Sequence, residues 1–240
     1  MSKKLKFFLG ITYLFILLIF LYFIFSKIEI SRLSDFLYYK ELQADLEIFV
    51  GKNIYINLFL FFIFAIIWVM LLGFGSPLLI ISGILFGKWL GTFVSIISIS
   101  LGALALYSLA NFFFADLVHK IFKKKISKYI DLFKKNEFYY YFIYRFVGGL
   151  GVPFFLQNTL PVLFNMKKSS YFFSSMLGFI PGFFVFNTIG SGLNKYVKES
   201  ESFNFIDLIL NKEVYLPLIM FICLIFVSLV IKKKVFDDKS

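Results

Sequence analysis

The sequence predicts an all-α polytopic membrane protein, with about four full transmembrane helices and two opposed re-entrant helical hairpins. Three observations carry this. Of the 240 residues, 60% are apolar and only 16% charged, whereas soluble chains run at roughly 45–50% and about 25%; the mean hydropathy is +0.86. Several apolar runs are long enough to cross a bilayer. Lysine clusters flank those runs, and glycine and proline interrupt two of them.

The elements follow in chain order. Residues 1–30 read as a retained signal anchor. Phe7 to Phe25 is uncharged, and such a run rises about 28 Å as a helix, against a hydrocarbon core of about 30 Å. Ser26-Lys27-Ile28-Glu29 offers no small-residue cleavage site. Residues 31–53 place Leu33, Phe36, Leu37, Leu42, Leu46, Phe49 and Val50 at helical spacing among charges. That predicts a helix lying on the membrane surface, capped at Ser31 or Ser34.

Residues 54–193 form the predicted core. Ile54 to Leu72 is apolar, Gly73 to Pro77 breaks it, and a shorter arm runs to Phe86 and Gly87-Lys88. Residues 54–88 are therefore one re-entrant hairpin. A full span over 91–114 carries small residues for close packing. Residues 115–137 hold seven lysines and predict a basic amphipathic helix at an interface. A second hairpin over 138–165 turns at Gly148-Gly149-Leu150-Gly151-Val152-Pro153. A span over 169–190 is interrupted by Gly178, Pro181 and Gly182. Residues 194–240 give an outer loop, a last span over Val214–Ile231 and a basic tail.

Charge selects the topology. If Ile54–Leu72 crossed fully, the seven-lysine stretch would lie opposite the N-terminus. If residues 54–88 form a hairpin, Lys3/Lys4/Lys6, the seven lysines, Lys167/Lys168 and Lys232/Lys233/Lys234 all share one side. The positive-inside rule favours the second. Both termini are then cytoplasmic in a bacterial inner membrane, and the two hairpin tips meet near the midplane from opposite faces. Non-helical backbone survives at that depth only beside protein or a water-filled cavity. Opposed broken segments therefore imply a polar cavity of the kind transporters use.

The net charge of +11 points to anionic lipid headgroups rather than nucleic acid, because the bases flank apolar runs. Cys223 is the only cysteine and His119, near Asp116, the only histidine. They build no metal site and the chain implies no cofactor. A proton relay at His119 and a redox role for Cys223 are the weaker readings beside an interfacial histidine and a packing residue. There is no G-x-x-x-x-G-K-[ST] loop and no Ser/His/Asp arrangement, so the chain does not read as an enzyme.

Arg145 is the sharpest residue. An intramembrane arginine is costly and marks a site or pathway by default, and its guanidinium forks onto phosphate oxygens. The structural alternative is an arginine snorkelling to the interface or binding freed backbone carbonyls. Gln157 and Asn158 would line the return arm, either on a headgroup or on the hairpin backbone. Lys88 sits at the outer mouth of the first hairpin, as a phosphate attractor or a snorkelling lysine. Gly75, Pro77, Gly83, Gly87, Gly148, Gly149, Gly151, Pro153, Gly178 and Pro181 are read as shaping the breaks and turns.

Three blocks resemble a known family. The first is Gly75-Ser76-Pro77, then Gly83-Ile84-Leu85-Phe86-Gly87, Gly91-Thr92 and Gly102-Ala103. The second runs from Tyr144-Arg145-Phe146 to Pro153-Phe154-Phe155-Leu156-Gln157-Asn158. The third is Leu177-Gly178-Phe179-Ile180-Pro181-Gly182. In this order they resemble the DedA superfamily, also called VTT-domain or SNARE-associated Golgi-type membrane proteins, and within it the bacterial TVP/TMEM-like branch. The resemblance covers roughly Leu72 to Leu193. It implies movement of phospholipid or polyprenyl-phosphate lipid between leaflets, without catalysis; the other reading of the same cavity is a small-solute or ion transporter. The chain departs from the family in two places. Gly148 stands where a proline is usual, and no Asp or Glu lies between Leu72 and Leu90, where many members carry an acid linked to proton coupling.

The lysine asymmetry yields a direct test. Cysteines placed beside Lys123–Lys125 should resist an impermeant thiol reagent in intact cells, while cysteines in 31–53 and 191–213 should react. Labelling beside Lys123–Lys125 from outside contradicts the hairpin topology.

Overall fold

A computed structural model of the protein describes residues 3–26, 35–72 and 74–232, and every regular element among them is helical. Helix α1 (Lys3–Phe25) and helix α10 (Lys212–Lys232) are 23 and 21 residues long, which at 1.5 Å per residue is about 34 and 31 Å. Most of their apolar side chains face outward, as lipid-facing helices do. Ile54–Leu71 is by length and composition sufficient to cross a membrane, and the bent pair Lys168–Gly178 and Ile180–Glu199 makes another such segment. The protein is thus an all-α membrane protein.

Helix α2 (Phe36–Lys52) buries no residue and lies on the outside of the bundle. Its N-cap is Asp35, whose carboxylate accepts from the Leu37 N–H at 2.9 Å. The caps expected at Ser31 or Ser34 lie outside the described residues.

Helix α3 (Ile54–Leu72) holds neither glycine nor proline and ends where Gly73 and Gly75 begin. Helix α4 (Ser76–Lys135) starts with Pro77 in its first turn, where the missing N–H costs nothing. α4 is not straight. Gly87 has φ 73°, a backbone conformation open to glycine, and there the chain doubles back. The proof is in the side chains. Ser82 Oγ donates to the Gly91 carbonyl at 3.0 Å, and Ser95 Oγ donates to Ser82 Oγ at 3.0 Å. A straight helix would separate the first pair by about 13 Å. Residues 76–86 are therefore a short arm. It runs antiparallel to α3 on one side, with the Phe61 and Phe86 rings 5.4 Å apart, and to residues 88–100 on the other.

Beyond Gly87, α4 continues unbroken to Lys135. The span over 91–114 and the basic helix over 115–137, read as two elements from composition, are one rod. Between Gly102 and Asn136 there is no glycine or proline to stop it, and a change from apolar to charged residues does not itself end a helix. The side chains of His119 and Lys123–Lys125 lie outside the described residues.

Helix α5 (Glu137–Phe146) is capped by Asn136, which accepts from the Tyr139 N–H at 3.2 Å. It gives way to a 3₁₀ turn over Gly148–Gly151, then to helix α6 (Phe154–Thr159), with Pro153 at its N-cap, and a 3₁₀ turn over Leu160–Phe164. The two ends of this hairpin meet where the Lys167 N–H donates to the Glu137 carboxylate at 3.3 Å. Helices α7 (Lys168–Gly178) and α8 (Ile180–Glu199) are bent by 47° against each other, with Pro181 in the first turn of α8. Helix α9 (Phe205–Leu210) leads into α10, which contains a buried Pro217.

The two hairpins enter from opposite ends of the bundle. At the base of the first, Lys195 pairs with Glu213 at 3.0 Å and Lys198 with Glu47 at 2.6 Å. The hydrogen bonds from these lysines hold both carboxyls below the usual carboxylate range. At the base of the second stand Lys134, Lys135, Lys167 and Lys168.

Missing side chains bring these helices together. A Cβ on Gly83 would strike the Asn187 carbonyl, one on Gly190 the Ile80 carbonyl, and one on Gly102 the Ile66 carbonyl at 2.8 Å. Close backbone approach of this kind replaces the hydrophobic driving force that lipid removes. Gly83→Val should therefore lower stability by about 1–3 kcal/mol through overpacking, read as a reduced melting temperature in detergent. Gly10→Ala, at a position with nothing within 4 Å, should leave it within experimental scatter. Equal melting of Gly83→Val and the parent contradicts the packing.

Candidate functional site

The site grows from the need to satisfy broken backbone. In the first hairpin the last carbonyls of α3 lose their helical partners. Tyr13 of α1 donates its hydroxyl to the Leu71 carbonyl at 2.8 Å, with the Met70 carbonyl 3.2 Å away, and Trp68 Nε1 donates to the Phe74 carbonyl at 2.9 Å. In the second hairpin, Gly148, Gly149 and Gly151 have φ of 70°, 71° and 80°. Gln157 reaches back across this turn. Its Nε2 donates to the Val152 carbonyl at 2.7 Å and the Gly148 carbonyl at 3.3 Å. A Cβ on Gly149 would collide with the Gln157 amide, so this glycine is needed for the approach as well as for φ.

The same amide holds Arg145. Arg145 Nη1 donates to Gln157 Oε1 at 3.0 Å, and Nη2 donates to Asn158 Oδ1 at 2.5 Å and to the Tyr171 hydroxyl at 3.0 Å. The guanidinium also faces the rings of Phe179 at 4.8 Å, Tyr141 at 4.9 Å, Phe154 at 5.4 Å and Tyr171 at 5.7 Å. Arg145 is only 2% exposed. Among the described residues no carboxylate comes within ion-pair distance of it. A buried cation is held here by neutral oxygens and π faces, through hydrogen bonds to charge worth about 1.5–3 kcal/mol each and cation–π contacts of about 0.5–2 kcal/mol. It does not snorkel.

Among the described residues of this site, two buried donors remain without a partner, Arg145 Nε and Asn158 Nδ2. Three of the five guanidinium N–H groups are committed, and both Nη2 hydrogens are among them. The Nε hydrogen and one Nη1 hydrogen are uncommitted, and Nε is buried; a side-on fork through Nε and Nη2 needs one Nη2 bond exchanged. Gly178 lets α7 pass this close, since a Cβ there would lie 2.5 Å from Arg145 Cβ.

Arg145 and Gln157 open onto a cavity of about 560 Å³. Gly75 and Ser76 from the first tip and Gly148, Gly151 and Val152 from the second share its wall. The tips come close, a Cβ on Gly75 falling 3.7 Å from the Phe154 ring. The rest of the wall is apolar, much of it phenylalanine from α8 and α10. Asn158 is fully buried behind Arg145 and does not reach the cavity.

Arg145, Gln157 and Asn158 thus converge. Lys88 does not join them. It is exposed at the base of the first hairpin, near Glu213, beyond the Gly87 reversal. Tyr171 and Tyr141 were not singled out by sequence, and Phe154 and Phe179 entered only as members of the motif blocks. Tyr141, four residues before Arg145, shares its helix face and donates to the Gln157 carbonyl at 2.8 Å, so helical spacing could have found it. Tyr171 comes from another helix and left no such signal.

Two opposed, broken helical segments thus meet around a buried cation inside an all-α membrane protein. Residues 72–192, half of the chain, match the family model described as the VTT domain, and the chain belongs to that family. Its members carry a membrane-transport-related role, which this protein shares. No solved structure matches the chain.

Removing acceptors should cost stability in order of what each leaves unsatisfied. Tyr171→Phe should lose about 1.5–3 kcal/mol, the worth of one hydrogen bond to charge. Gln157→Leu should lose more, because it also strands the Gly148 and Val152 carbonyls. Lys88→Ala should lose none. Thermal denaturation in detergent reads all three, and an unchanged Gln157→Leu contradicts the account.

Proposed function

We propose that this protein moves an anionic lipid, phospholipid or polyprenyl-phosphate, between the leaflets of a bacterial inner membrane, with both termini cytoplasmic. The observation that carries this reading is Arg145: a buried cation with no carboxylate partner among the described residues, on the wall of the cavity where both hairpin tips meet. A phosphate stripped of water is expensive to bury and needs a fixed positive partner at that depth. A carboxylate on Arg145 would have filled that role permanently; neutral amides leave it vacant.

The wall favours a lipid over a small solute or ion. Among the described residues, Ser76, Arg145 and Gln157 supply its only polar side chains, so one pole of the cavity suits a headgroup and the remainder suits hydrocarbon. With no acid between Leu72 and Leu90, movement runs down the lipid's own gradient and responds little to a proton gradient. Gln157 and Asn158 position the guanidinium, and Gln157 also meets the cavity.

Liposome exchange of labelled lipid tests this. Arg145→Lys keeps the charge but cannot make all three hydrogen bonds, and should exchange anionic lipid about tenfold more slowly, one lost interaction of about 1.4 kcal/mol. Arg145→Ala should lose nearly all exchange. Arg145 also ties α5 to α6 and α7, so monodispersity and helical content are read on the same samples. A well-folded Arg145→Ala that exchanges lipid like the parent makes Arg145 a structural anchor alone and refutes the reading.

A further inference from the structure

On the far side of α8 and α10 from Arg145 lies a second concavity, a groove of about 720 Å³. Trp89, Phe93 and Ile96 of α4, Phe184 of α8 and Cys223 and Val227 of α10 are among its walls. Among the described residues its one hydroxyl, on Thr92, is already donated to the Lys88 carbonyl at 2.5 Å. The same described residues give the groove no charged side chain, and its largely apolar wall suits an acyl chain.

The groove and the Arg145 cavity are neighbours. Leu224 of α10 belongs to the wall of both. On α8, residues 180, 181, 184 and 185 face the groove while 182, 183 and 186, with Phe179 at the N-cap, face the cavity. Only the α8–α10 seam separates them, and that seam is uneven. At its outer end it is clamped: a Cβ on Gly192 would strike the Glu213 carbonyl. Further along, the Phe186 and Phe221 rings meet edge-on at 5.4 Å. Continuing the antiparallel register set by that pair and the Gly192–Glu213 contact brings Gly182 to the level of residues 223–225, which include Leu224. There a Cβ would meet nothing within 4 Å, because Gly182 faces the cavity and puts no side chain on that side of the seam. The two helices are pinned backbone to backbone at the outer end, and where the cavity and the groove adjoin α8 offers a bare glycine beside Leu224.

We propose that this seam is the lateral port of the protein, with one acyl chain of the bound lipid lying in the apolar groove while its headgroup occupies the Arg145 cavity. The inference rests on the lipid reading above. An amphiphile with phosphate against Arg145 carries its chains a few bonds away, and they need apolar surface continuous with the headgroup site. The groove beyond Leu224 supplies it. Entry and exit then require α10 to part from α8 at Gly182 and Leu224 while the Gly192 contact acts as the hinge.

Cys223 makes the test simple, since it is the chain's only cysteine and lines the groove. In Phe184→Cys, a short bis-methanethiosulfonate bridge between the introduced thiol and Cys223 ties α8 to α10 and is removed by reductant. The bridged protein in liposomes should exchange anionic phospholipid at least tenfold more slowly than the same sample after reduction, so each sample is its own folding control. Equal rates before and after reduction overturn the port. Arg145→Ala measured in parallel separates the two claims. If it is slow while the bridge has no effect, the headgroup reading stands and the port is wrong. If it is as fast as the parent, the headgroup reading fails and the port falls with it.

Discussion

The structure depends on one constraint: backbone that leaves the helix inside a membrane must find its hydrogen-bond partners within the protein. At the second hairpin that partner is the Gln157 side chain, which donates to the Val152 and Gly148 carbonyls. Its oxygen is then free to accept from Arg145. Closing the broken turn and orienting the guanidinium are one act. The arrangement spreads further through Tyr171, whose hydroxyl accepts from Arg145 and lies 3.3 Å from the Ala103 carbonyl of α4. Its ring stacks on Tyr107 at 4.7 Å. Tyr107 in turn donates to the Met166 carbonyl at 2.6 Å, fixing the base of the same hairpin. The long rod of α4 is thus locked to the hairpin at both the arginine and the exit.

The choice of neutral acceptors has a functional consequence. In a medium of low dielectric a carboxylate beside Arg145 would bind it strongly and cancel its field. Amide and hydroxyl oxygens hold the position and leave the positive charge uncancelled. For the proposed anionic ligand such a site offers few ready contacts, with Nε unpartnered and Nη2 already engaged. Under the proposed role, binding of that moderate strength is what passage requires, because a lipid that cannot leave is not moved.

Much of this was legible in the sequence. Glycine and proline marked both breaks because no other residues accept positive φ or start a helix without an N–H so readily. Arg145, Gln157 and Asn158 could be grouped because a hairpin turning near Leu150 brings positions 12 and 13 apart back together. Other features left no local trace. Gly87 was visible as the end of an arm, but the full reversal there is shown only by Ser82 meeting Gly91 and Ser95. The continuity of α4 through its lysines was hidden by a compositional change that has no bearing on helix propagation. Lys88 lies at the outer base of the first hairpin, as its sequence position indicated, and the arm over 76–86 separates it from the tip and the cavity. Tyr171, Phe179 and the α10 wall arrive by tertiary packing, which spacing along the chain cannot encode.

The most direct measurement is an experimental structure of the protein in nanodiscs rich in anionic phospholipid. The account predicts a phosphate within hydrogen-bonding distance of Arg145 Nε, between the Gly75–Ser76 and Gly148–Val152 tips. A cavity occupied by hydrocarbon alone, with Arg145 touching only Gln157, Asn158 and Tyr171, would contradict it.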